Sequence, residues 1–69
     1  MKLSARNQLT GTVTGIEGGA AIANVSIDVN GQRLVASITL EAARELGLED
    51  GKPVTAVIKA SDVILATPD

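Results

Sequence analysis

The dipeptide Asn30-Gly31 constrains this chain more than any other feature, because of what flanks it. Before it, Val25, Ile27 and Val29 alternate with Asn24, Ser26 and Asp28; beyond it, Leu34, Ala36 and Ile38 resume the alternation. A period of two places successive side chains on opposite faces of a strand, so each run has one apolar face. Asn-Gly accepts the two positive φ values of a type I′ turn, whose twist suits the strands on either side of it. The stretch therefore predicts a β-hairpin with a single apolar face, and the remaining residues have to cover that face.

The flanking segments supply more strands. Leu9, Gly11, Val13 and Gly15 alternate with Thr10, Thr12 and Thr14, which predicts a first strand whose threonines face outward or toward a partner. Gly18-Gly19 interrupts it, with no phosphate-loop context around the pair. After the hairpin, Thr39 is placed to cap a helix over Leu40–Leu48, with Glu41 in its first turn and Leu40, Ala43 and Leu46 at helical spacing. Gly47 supplies the stop. Glu49-Asp50-Gly51 reads as a turn, Val54, Ala56 and Ile58 as the inner face of a fourth strand, and Val63–Leu65 as a fifth. Five short strands with one helix between the third and fourth predict a mainly β fold, a five-stranded OB-like Greek-key barrel, in one domain.

Composition limits the chemistry. The chain has 69 residues and no Cys, His, Phe, Tyr or Trp, so its core must be built from Val, Ile, Leu and Ala. A domain this small buries a modest share of its surface; with disulfides and Cys/His metal sites excluded, self-association is the remaining common staple. A hydrophobic fraction of 45% points the same way. The lack of an imidazole base and a thiolate nucleophile argues against an enzyme. A net charge of -2 argues against a nucleic-acid partner, whose phosphates call for clustered Lys and Arg. No signal peptide and no membrane-spanning apolar run are evident, which predicts a cytoplasmic protein without membrane contact.

Two polar groupings stand out. Ser4, Arg6, Asn7 and Gln8 gather hydroxyl, guanidinium and amide groups just before the first strand, and Lys59 and Ser61 lie together between the last two apolar runs. A solvated lysine and a frayed terminus are the plainer readings of each. Glu17 and Arg33 read as surface charges.

The elements SARNQ, LGL-x-x-G and IKA-x-x-VIL, in that order and spacing, closely resemble the molbindins, the Mop family of small molybdate-binding proteins. The likeness covers nearly the whole chain and implies a single molbindin-like domain of the Mop/TOBE type over residues 1–69. It further implies a hexamer arranged as a trimer of dimers, with molybdate or tungstate bound between subunits as an intracellular store. Carried over position by position, it assigns oxyanion binding to Ser4, Arg6, Asn7, Thr39, Lys59, Ala60 and Ser61, with Arg6 and Ala60 acting through backbone N–H groups. Ala42 stands where family members often carry Ser. A second type of site falls on Ala20, Ala21 and Ile22, where this chain has Ile22 in place of the usual Asn.

The residue types suit such a ligand. Molybdate is a tetrahedral dianion that accepts hydrogen bonds and donates none, so it calls for converging N–H and O–H donors. Two other readings compete with it. An OB-like or AbrB-like nucleic-acid module is disfavoured because aromatic stacking residues and a basic surface are both missing. A self-associating structural β-module differs from the molbindin reading in gaining no stability from an oxyanion.

Overall fold

The computed structural model describes residues 2–68. Four strands, β1 (Asn7–Gly18), β2 (Ile22–Val29), β3 (Gln32–Thr39) and β4 (Pro53–Ile58), form one antiparallel sheet in the order β3-β2-β1-β4. A short helix, α1 (Leu40–Glu45), joins β3 to β4, and a 3-10 turn over Ala60–Asp62 follows β4. This is a mainly β, OB-like arrangement.

The hairpin forms as its residues dictate. Asn30 and Gly31 take φ values of 50° and 85°, and the β2–β3 register runs without a break from Val29↔Gln32 to Ile22↔Thr39. Val25 and Ile27 are buried, together with Val13 of β1, and Leu34, Ala36 and Ile38 pack against them from β3.

β1 organises the rest. Its first half pairs with β4, from Asn7↔Ile58 to Thr12↔Pro53, and its second half pairs with β2 as far as Gly18↔Ala23. A register shift between Val13 and Gly15 marks a bulge there, which bends the strand. At Gly11 a Cβ would lie 2.5 Å from the Asp28 carbonyl oxygen and 2.7 Å from Ile27 Cγ2, so the crossing of β1 over β2 requires glycine. The turn before β4 is tied to the bulge by Val13 N–H donating to the Lys52 carbonyl (3.0 Å) and Gly51 N–H donating to the Val13 carbonyl (2.7 Å).

α1 starts where expected, at the Thr39 cap, but ends at Glu45 instead of running to Leu48. Gly47, at φ 62°, turns the chain: its N–H donates to the Arg44 carbonyl (3.0 Å), and Leu48 N–H donates to the Ala43 carbonyl (3.2 Å), the two bonds of a Schellman motif. Lys52 Nζ adds bonds to the carbonyls of Leu46 (3.3 Å) and Gly47 (2.9 Å). The apolar spacing of Leu46 extended the expected helix past this stop; in the structure Leu46 is 60% exposed.

Among the described residues the expected fifth strand is not formed, and in place of the expected five-stranded barrel there is one four-stranded sheet. Val63 leaves the 3-10 turn in extended conformation (φ −86°, ψ 125°), yet residues 63–68 pair with no strand. The connection after β4 makes only local bonds, Asp62 N–H to the Lys59 carbonyl (2.9 Å) and Val63 N–H to the Ala60 carbonyl (3.3 Å), and does not reverse the chain along β4. Consequently Val54, Ala56 and Ile58, expected in the core, are only half-buried and border an open groove.

Candidate functional site

The site residues expected from the sequence fall into two groups. The first gathers at the start of β1 and the end of β4. Asn7 opens β1 opposite Ile58, and its Nδ2 donates to the Ile58 carbonyl at 3.2 Å, which ties the SARN segment to the strand that delivers Lys59. Ser4 and Arg6 are exposed just upstream. Lys59 is exposed, in extended conformation (φ −65°, ψ 135°), and its carbonyl caps the following turn while its side chain makes no capping bond. The N–H groups of Ala60 and Ser61 head that turn and are not used by its i→i+3 bonds, which are donated by Asp62 and Val63. An ammonium, a hydroxyl and two backbone N–H groups thus leave β4 beside another hydroxyl and a guanidinium entering β1. Asp62 is the one carboxylate of the turn.

The second group surrounds the junction of β2, β3 and α1. Thr39 pairs with Ile22 across the sheet, and Leu40 N–H donates to the Ala21 carbonyl at 2.8 Å. Ala20, Ala21 and Thr39 line a shallow concavity whose rim carries Glu41, Arg44 and Glu45. Thr39 Oγ1 accepts from Ala42 N–H at 3.0 Å, so the hydroxyl proton stays free to donate while the cap occupies a lone pair. The cap also uses the backbone N–H of Ala42. Ile22, at the first position of β2, is 48% exposed.

These groups lie at opposite ends of β1, one beside Asn7 and the other near Gly18. A strand of 12 residues spans roughly 36 Å along its path at about 3.3 Å per residue. Among the described residues no hydrogen bond or strand pairing links the Thr39 group to the Lys59 group directly.

Residues 3–65 match the TOBE domain family. The chain belongs to that family. Its sequence is 48% identical over 66 residues to a probable molybdenum-pterin-binding protein of Haemophilus influenzae, covering 94% of this chain and 96% of that protein. A molybdate-binding protein from Sporomusa ovata has the same fold, with a TM-score of 0.93 at 39% identity, covering 97% of this chain and all of that one. The cytoplasmic molybdate-binding protein ModG, in a crystal form with molybdate bound, is also similar, with a TM-score of 0.92 and 51% identity over 99% of this chain and 49% of that one. The resemblance read from SARNQ, LGL-x-x-G and IKA-x-x-VIL thus leads to the same TOBE and molybdenum-binding relatives.

Among the described residues no cluster of three or more acidic side chains could hold a bare cation, and no helix is long and apolar enough to cross a membrane. Sequence reasoning missed two features. Arg44 sits at the rim of the Thr39 concavity, signalled only by its place in the last turn of α1. The apolar groove between β3 and β4 was hidden because the fifth strand was expected to fill it.

Proposed function

We propose that this protein binds molybdate or tungstate between subunits of a homo-oligomer, a hexamer arranged as a trimer of dimers, and serves as a cytoplasmic store of the ion without catalysing a reaction. The observation that supports this reading is the pairing of Asn7 with Ile58, and the Asn7 Nδ2 bond to the Ile58 carbonyl, which set the SARN end of β1 beside the strand that leads into Lys59, Ala60 and Ser61. Ser4, Arg6 and Asn7 of that segment, and Thr39 of a neighbouring copy, complete the donor set. Arg6 and Lys59 against Asp62 leave this end with a surplus of one positive charge, which suits an anion. Hydrogen bonds to a charged acceptor contribute about 1.5–3 kcal/mol each, so four or five reach the roughly 8 kcal/mol of micromolar binding after desolvation costs.

The likeness to a molybdenum-pterin-binding protein and to two molybdate-binding structures supports this ligand class. Ala20, Ala21 and Ile22 are the candidates for a second oxyanion site, through backbone N–H groups; the Ile22 side chain contributes no donor to it. Glu41 and Glu45 on the same rim oppose an anion there, and Arg44 favours one. Equilibrium dialysis against molybdate, with elemental analysis of the retained metal, tests the reading. Stoichiometric retention that persists at physiological salt supports it. Retention of DNA with no molybdate uptake would favour the nucleic-acid module.

A further inference from the structure

The half-buried side chain of Asn7 reaches across the end of the sheet to a backbone atom 51 positions away, its Nδ2 donating to the Ile58 carbonyl at 3.2 Å. That carbonyl belongs to the peptide unit that ends in the Lys59 nitrogen. We propose that Asn7 is a positioning residue of the oxyanion site: by holding the Ile58 carbonyl, it fixes the peptide plane from which Lys59 and the N–H groups of Ala60 and Ser61 leave β4. The inference rests on the oxyanion reading put forward above and assigns a further task to one of its residues.

The Lys59 side chain makes no bond to its own turn, so its direction is set by the backbone that carries it. A peptide unit is planar, and anchoring its oxygen restrains ψ of Ile58 and φ of Lys59 together. On the other side of the same Cα, the Lys59 carbonyl accepts from Asp62 N–H at 2.9 Å. Lys59 thus sits between two held peptide units, one tied by Asn7 and the other by the 3-10 turn. This matters because fixed donors bind an ion with less ordering cost than a lysine swinging on a free strand end.

The chemistry suits asparagine. Only the amide NH2 can donate to a carbonyl, and Nδ2 carries two hydrogens, so holding Ile58 leaves one for the ion. Aspartate would turn a carboxylate toward the carbonyl and toward the anion. The pairing Asn7↔Ile58 brings the two ends together, and the side-chain bond then ties the entry of β1 to the exit of β4.

The test is a double-mutant cycle in the full chain. Asn7→Leu keeps the branched shape of the side chain and removes the donor; Asn7→Ala serves where leucine disturbs assembly. By calorimetry, on protein whose native mass matches wild type, either should weaken molybdate binding about three- to tenfold in otherwise wild-type protein and less than about twofold in Lys59→Ala. Equal losses in both backgrounds would make Asn7 an independent ligand and overturn the positioning role. No loss in either would make the bond purely structural and overturn it as well. In the ligand-free protein, amide exchange followed by NMR should quicken severalfold at the Asp62 N–H, which bonds to the Lys59 carbonyl, and stay unchanged at the Ala42 N–H on the Thr39 cap. Unchanged exchange at Asp62 would overturn the proposal whether or not molybdate binds. A wild-type protein that binds no molybdate would remove the oxyanion reading, while quickened exchange at Asp62 would still uphold the grip of Asn7 on the Lys59 turn.

Discussion

Lys59 and Thr39 are both exposed polar residues at strand ends, yet they differ in what holds them. The Lys59 side chain makes no hydrogen bond to its own turn, so Lys59→Ala removes a charged donor and little of the fold. Molybdate affinity should fall roughly ten- to a hundredfold, the loss of one charge-assisted bond at about 1.5–3 kcal/mol, as calorimetry on correctly assembled protein would show. Thr39 has two tasks, accepting from Ala42 N–H at 3.0 Å and offering its own proton outward. Thr39→Ala would confound them, because losing a cap alone costs about 0.5–2 kcal/mol. Thr39→Asp separates them: aspartate caps as well as threonine but brings a negative charge and no donor. It should leave the denaturation midpoint close to that of wild type while molybdate affinity drops at least about tenfold. The residue types of the site were legible in the sequence, since hydroxyls, an ammonium and a guanidinium are what an oxyanion needs. Their grouping was not, because it depends on Asn7 and Gly18 lying at opposite ends of one long strand.

Among the elements, β1 carries the greatest geometric demand, and its glycines show where. Gly11→Ala would drive a Cβ to 2.5 Å from the Asp28 carbonyl oxygen, a backbone atom held in the β2–β3 hairpin, so the strands must separate. Overpacking of this kind costs about 1–3 kcal/mol. A Cβ at Gly15 meets nothing within 4 Å, so Gly15→Ala should be neutral or stabilising by up to about 1 kcal/mol through the unfolded chain. Urea unfolding of both variants at one fixed protein concentration checks the contrast, and equal midpoints would contradict the tight crossing. Local signals read well at this scale. Asn30-Gly31 and its flanking alternation specify the hairpin without reference to the rest of the chain, and Thr39 specifies the helix start. Non-local ones read poorly. The end of α1 is decided by Gly47 together with Lys52, five residues further on, and Val63–Leu65 has a strand-like sequence but pairs with neither edge strand of its own sheet.

For the molecule as a whole, the thin core and the proposed site have a shared consequence. Among the described residues five apolar side chains are buried, those of Val13, Ala23, Val25, Ile27 and Ala43, so the isolated chain has little to stabilise it and much to gain from neighbours and ligand. If copies complete one another's oxyanion sites, the ligand binds only the assembled fold, and its binding free energy adds to the stability of the assembly. That linkage makes thermal unfolding a measure of selectivity. Sulfate, molybdate and tungstate are tetrahedral dianions of the same charge, but sulfate is the smallest. Donors fixed by strand ends and a 3-10 turn at a radius suited to molybdate cannot all close onto sulfate, and each donor left desolvated and unpaired costs about 1–3 kcal/mol. One or two such failures give roughly ten- to a thousandfold discrimination. Molybdate and tungstate, nearly equal in size, should raise the melting temperature alike, with the shift growing as the logarithm of ligand concentration above Kd, while sulfate at matched ionic strength should leave it nearly unchanged. Equal stabilisation by sulfate would reduce the site to a general anion sink held by Lys59 and Arg6, and no shift with any of the three would remove the oxyanion from this protein's function.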